Sequence, residues 1–169
     1  MEAYKAWILE KNAQHPEEII TIIPEYLFNE FKKWRQFRSD QAEACGVIYG
    51  ERRGNHFLVT GITSPMITDV RSRYACKRNI RGHQEALDQL HKQSNGKIQY
   101  LGEWHSHPQK IPLPSSTDLR EWKNSYEYLH KEQNVDKMLC LILGLEKDWV
   151  GIYEQGQLHS VHNMLIFNA

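Results

Sequence analysis

The segment from Lys97 to Asp118 constrains this chain more than any other. Lys97-Ile-Gln-Tyr-Leu-Gly-Glu-Trp104 has the composition of a strand and runs directly into His105-Ser-His-Pro108. Proline has no N–H for a ladder, so Pro108 stops the strand and turns the chain. A Pro-rich loop with Pro112 and Pro114 follows. Ser115-Ser-Thr-Asp118 then opens a helix whose stripe is Leu119, Trp122, Tyr126 and Leu129. A strand end is therefore joined by a short loop to a helix start. Alternation along the strand puts His105 and His107 on one face, and Asp118 returns toward the same point in the first helical turn.

The rest of the chain fits around this unit as a mixed α/β (α+β) domain over 1–169, with short strands between helices. Glu17–Ile23 is short and β-branched and reads as a strand. Pro24 suits a first helical turn, and Leu27, Phe28, Phe31, Trp34 and Phe37 then recur at helical spacing, which predicts a helix to about Ser39–Asp40. Cys45–Gly50 and His56–Ile62 read as a hairpin around Glu51–Asn55. Residues 63–71 read as loop, 72–78 as a strand and 79–93 as a helix closed by Asn95-Gly96. The end of the chain reads as strands over 137–145, 149–153 and 157–167.

Composition removes several classes of function. The 169 residues carry 21 basic and 21 acidic side chains, so no charge excess favours nucleic acid or an anionic membrane. Charged residues interrupt the N-terminal segment where a signal peptide needs an apolar stretch, and no apolar run is long enough to span a bilayer. Cys45, Cys76 and Cys140 are an odd number without CxxC spacing, which reads as small buried residues in a reducing, cytoplasmic protein and not as a disulfide framework.

Two histidines and one carboxylate are three protein ligands, and they leave a fourth tetrahedral position open to water, as in a catalytic zinc site. Ser115 lies beside that point with a free hydroxyl. Each element has an ordinary reading too: a lone HxH is commonly strand surface, and Asp118 complements the helix dipole with Ser115 or Ser116 as N-cap. Their joint spacing, H-x-H-P-x6-S-x-x-D, is what carries the metal reading. Glu103 shares the histidine face by alternation, so spacing alone makes it a candidate base or supporting group. His15, His56, His83, His91, His130, His159 and His162 show no spacing that points to a site.

The residues His105-Ser-His-Pro108 and Ser115-Ser-Thr-Asp118, with Glu43-Ala-Cys-Gly-Val-Ile-Tyr-Gly50 upstream, resemble the JAMM motif of the JAB1/MPN/Mov34 metalloproteases. The resemblance covers most of the chain. It implies a mostly antiparallel central sheet flanked by helices in a three-layer arrangement like that of the cytidine deaminases. It also implies Zn²⁺ on His105, His107 and Asp118, Glu43 as general acid/base and Ser115 as oxyanion donor. Only the resemblance favours Glu43 over Glu103. The compact length and Gly102–Pro108 are similar to bacterial stand-alone JAB proteins, several of them encoded beside E1-like and E2-like enzymes in CBASS antiphage systems. The activity implied is hydrolysis of the amide after the C-terminal tail of a ubiquitin-like protein or a cGAS-like nucleotidyltransferase. The family also contains peptidases that trim ThiS/MoaD-type sulfur carriers, and MPN scaffolds that have lost their metal.

Overall fold

The computed structural model describes residues 3–168. In chain order the elements are β1 (Ala3–Leu9), β2 (Ile19–Pro24), α1 (Glu25–Trp34), β3 (Cys45–Arg53), β4 (His56–Ile62), β5 (Val70–Ser72), β6 (Ala75–Lys77), α2 (Ile80–Gln93), β7 (Gln99–Ser106), α3 (Ser116–Gln133), β8 (Lys137–Leu143), β9 (Asp148–Glu154), β10 (Gln157–Val161) and β11 (Asn163–Asn168). Nine strands form one sheet in the order β10-β9-β8-β7-β3-β4-β2-β1-β11, while β5 and β6 form a separate hairpin. Within the large sheet β2/β4 and β7/β8 are parallel and the other pairs antiparallel. Parallel neighbours need a crossover, and α3 supplies it between β7 and β8.

The core divides between the two faces of the sheet. On one, Leu27 and Phe31 of α1 pack on Ile48, Trp104, Leu139 and Leu141. On the other, Trp122 and Tyr126 of α3 pack on Met138, Cys140, Ile142 and Tyr153. Covered on both sides, β8 is buried at all seven positions, which explains its unbroken apolar run after Lys137. Lys137 is buried with its ammonium 3.0 Å from Asp136 and 3.2 Å from Glu154. No helix among the described residues is long and apolar enough to cross a membrane.

Four sequence expectations are corrected. Helix α1 ends at Trp34, because Arg35 turns extended (φ −68°, ψ 138°) and its guanidinium reaches Gly144 O and Asp148 Oδ2 at 2.6 and 3.0 Å. Phe37 repeats the helical spacing yet stands exposed. The strand expected over 157–167 is two, β10 and β11, split at His162 and lying at opposite ends of the strand order. One residue joins those two ends, so the sheet curls until its edges approach. Residues 3–9, unassigned from sequence, form β1, and the 63–78 region folds as the β5–β6 hairpin. Finally, Cys45 and Cys76 are disulfide-bonded with Cα atoms 6.0 Å apart, across a sequence separation of 31. This removes the cysteine-based warrant for a reducing compartment. Cys140 is free and buried, as expected.

Candidate metal centre

His105 and His107 leave the C-terminal end of β7 beside the start of α3. The two Nε2 atoms lie 3.1 Å apart, and Asp118 places Oδ1 3.3 Å from His105 Nε2 and Oδ2 3.4 Å from His107 Nε2. A tetrahedron with metal–ligand bonds of 2.0–2.1 Å has edges of about 3.3 Å, so these separations suit three ligands of one ion. Two imidazoles and a carboxylate also match the donor chemistry of zinc. His105 is fixed by packing 5.6 Å, centroid to centroid, from Trp122, and the His107 N–H donates to Leu143 O at 2.9 Å.

Glu43 joins the same cluster, its carboxylate and the two histidines offering atoms all within 4.8 Å of one another. It comes from a distant part of the chain, and its place is set by strand pairing. Cys45 pairs with His105 in the β3–β7 ladder. Just before that ladder, Ala44 N–H donates to Ser106 Oγ at 2.9 Å and Ser106 N–H to Ala44 O at 2.8 Å. Ser106 in turn donates to buried Gln36 Oε1 at 2.9 Å, and Gln36 Nε2 to Arg73 O at 2.7 Å. The β5–β6 hairpin clamps Glu43 itself: Glu43 N–H donates to Ser72 O, and Arg71 Nε to Glu43 O, both at 2.7 Å.

The electrostatics divide the two carboxylates. Desolvation pushes Glu43 up to about 7, against the opposing pull of His107. Burial also works to raise Asp118, yet hydrogen bonding to His105 and His107 outweighs it and holds the carboxyl well below the usual range. Desolvation lowers His105, while His107 is raised because Asp118 and Glu43 overcome its own burial. One carboxylate is thus fixed as an anion, and the other is poised to exchange a proton near neutrality.

The sequence-derived set converges, with two refinements. Ser115 does not carry a free hydroxyl. It caps α3, donating from Oγ to Asp118 Oδ2 at 2.7 Å and accepting from Asp118 N–H at 3.2 Å, while its own N–H donates to Asp118 Oδ2 at 2.7 Å. This reciprocal capping holds the Asp118 carboxylate against the histidines, so the cap reading and the ligand reading are the same geometry. Glu103 is engaged elsewhere, 2.6 Å from Arg78 Nη2 and accepting from Tyr100 Oη at 3.2 Å. Gln36, Arg71 and Ser106 went unread in the sequence. Nothing in their spacing distinguishes them, and only the β3–β7 pairing makes their roles visible.

Two strand-end histidines and a capped aspartate, with a buried glutamate facing them, form a donor set that could hold a single metal ion. The chain belongs to the prokaryotic JAB family: a profile of prokaryotic homologs of the JAB domain matches residues 24–152. It is 38% identical over 118 residues to a CD-NTase/cGAS isopeptidase from Escherichia coli (strain TW11681), covering 70% of this chain and 72% of that protein. It is 34% identical over 140 residues to a protein of the same name from Vibrio cholerae serotype O1, covering 82% and 85%. In fold it is similar to the solution structure of protein DSY2949 from Desulfitobacterium hafniense, with a TM-score of 0.54 and 19% identity over 79% of this chain and 84% of that one.

Proposed function

We propose that this protein is a zinc-dependent isopeptidase of a bacterial CBASS antiphage system. It hydrolyses, in the cytoplasm, the amide that joins the C-terminus of a cGAS-like nucleotidyltransferase to a target. The observation that carries the reading is the convergence of His105, His107, Asp118 and Glu43, and the isopeptidase names of the relatives support it. We take residues 1–169 as one JAB domain. Helices on both faces of one sheet are what a three-layer, deaminase-like arrangement requires.

His105, His107 and Asp118 would hold the ion. Zinc bound there supplies a Lewis acid and lowers the pKa of water to about 7. Glu43, the buried carboxylate beside those histidines, takes the proton of the attacking water and returns it to the departing amine. Ser115 turns its hydroxyl from Asp118 Oδ2 toward the developing oxyanion, and Asp118 keeps the Ser115 backbone N–H. An extended tail suits the surroundings. Val70 and Tyr74 of the hairpin that clamps Glu43 are exposed, as are Ile111 and Leu113 of the connector to α3. That connector is stiff: Gln109 O and Lys110 O accept N–H bonds from Leu145, Glu146 and Lys147 at 2.8–3.0 Å.

The test compares reporter fusions, one ending in the tail of a cGAS-like nucleotidyltransferase and one in a ThiS/MoaD-type tail. Cleavage immediately after the nucleotidyltransferase tail supports the proposal. Cleavage of the sulfur-carrier fusion alone replaces it with tail processing in sulfur transfer.

A further inference from the structure

A second group of ligand-type side chains lies at the other end of the sheet. His15, Glu154 and His159 offer atoms that all lie within 4.8 Å of one another. His15 Nε2 contacts Glu154 Oε2 directly, and the two imidazole centroids are 4.9 Å apart. The three residues come from the loop before β2, the end of β9 and the middle of β10. Lys137, which begins β8, borders this group, whereas Leu143, which ends β8, accepts from His107. The length of β8, about 20 Å at a strand's rise, therefore separates the two clusters.

The loop is built to present His15. Asn12 Oδ1 accepts from Gln14 N–H and His15 N–H at 2.8 and 2.9 Å, and Asn12 N–H donates to His15 O at 2.6 Å. This Asx-type turn places an imidazole that is 1% exposed. A buried histidine is normally explained by partners on both nitrogens, as His83 is: its Nδ1 lies 2.6 Å from Thr63 Oγ1 and its Nε2 3.1 Å from Asp69 Oδ2. His15 lacks that explanation, because its Nδ1 has no partner among the described residues. Glu154 is anchored through Oε1 by Lys137 at 3.2 Å, which leaves Oε2 to face the imidazoles. A cleft of about 430 Å³ has His15 and Glu154 in its wall.

We infer that His15, Glu154 and His159 form a second transition-metal site, with zinc as the ion their two imidazoles and one carboxylate suit. It would clip the 10–18 loop to the β9–β10 hairpin without touching the reaction centre. Hard cations such as Ca²⁺ and Mg²⁺ prefer all-oxygen ligand sets and would not be held there.

The test is metal counting, which needs no substrate. Zinc-loaded protein is dialysed against metal-free buffer, and its zinc per chain is measured by plasma emission spectrometry. Two equivalents are expected in the wild type. His159→Ala and His15→Ala should each retain one, with turnover within twofold of wild type. His107→Ala should lose the other one. His159 is only partly buried, so its variant serves if His15→Ala fails to fold. One equivalent in the wild type, unchanged in His159→Ala, overturns the second site. If the wild type holds one equivalent that His159→Ala loses and His107→Ala keeps, the second site stands and the metal reading of the reaction centre falls.

Discussion

Replacing Cys76 by serine removes the covalent tie between β6 and the start of β3, two residues beyond Glu43. The cost follows from the separation of 31 residues that the bond closes. Loop-closure entropy for about 32 residues amounts to about 12 cal/mol/K, or about 3.7 kcal/mol at 25 °C, gained by the unfolded chain. At about 2.1 cal/mol/K per residue, a chain of 169 residues unfolds with an entropy near 355 cal/mol/K, so the loss corresponds to about 10 °C in Tm. The hairpin keeps its Arg71 and Ser72 hydrogen bonds to Glu43, so the native fold should survive. Thermal unfolding of wild type and Cys76→Ser, each with and without a phosphine reductant, measures the effect. Reductant should lower the wild-type Tm by about 10 °C, down to the value of the variant, and leave the variant unmoved. Thiol titration of the denatured, unreduced wild type should find one thiol, Cys140, among the three cysteines. Three thiols together with a Tm insensitive to reductant would refute the reasoning.

Further outcomes follow from the same physics. Glu43 titrates at about 7 in the fold against an ordinary value of 4.5, so the folded state of chelated protein binds the extra proton between those values. Its stability therefore falls as pH rises through that window, by up to about 3 kcal/mol above pH 7, and Glu43→Gln should remove that fall. Urea denaturation at pH 5 and pH 8 in chelator checks this, and a wild-type-minus-variant difference that does not change with pH contradicts it. A Cβ at Gly46 would stand 2.1 Å from Thr63 O and 2.6 Å from Trp104 Nε1, which donates to that same carbonyl. Gly46→Ala should cost about 3 kcal/mol in urea unfolding, and a loss under 0.5 kcal/mol would show that the β3–β4 junction yields. Arg35→Ala strands the largely buried Asp148 and frees Gly144 O. It should cost about 2 kcal/mol, with Asp148→Asn in the same background restoring part of it.

What could be read from the sequence was what local spacing determines. His105, His107, Ser115 and Asp118 sit within one strand–loop–helix unit, so alternation and helix capping brought them to one point before any long-range contact was known. Glu43 was reached only by resemblance, because the Ala44–Ser106 contact that sets it beside the histidines spans 62 residues. The Cys45–Cys76 bond and the His15–Glu154 contact, the latter across 139 residues, depend on the same kind of long-range pairing and left no periodic signal. Phe37 shows the opposite error. It continues the apolar period of α1, but the Arg35–Asp148 ion pair draws the backbone out of the helix two residues earlier.

The account rests on amide hydrolysis at the His105–His107–Asp118 centre with Glu43 as the proton carrier. The most direct measurement is single-turnover cleavage, followed by mass spectrometry, of an amide-linked conjugate of a cGAS-like nucleotidyltransferase tail. Zinc-loaded wild type, chelated wild type and zinc-loaded Glu43→Gln are compared. The expected result is cleavage immediately after the tail by the wild type, loss on chelation with recovery on added Zn²⁺, and a fall of about 10²–10⁴-fold in Glu43→Gln at unchanged zinc content. Full turnover by the chelated enzyme, or by Glu43→Gln, would contradict it.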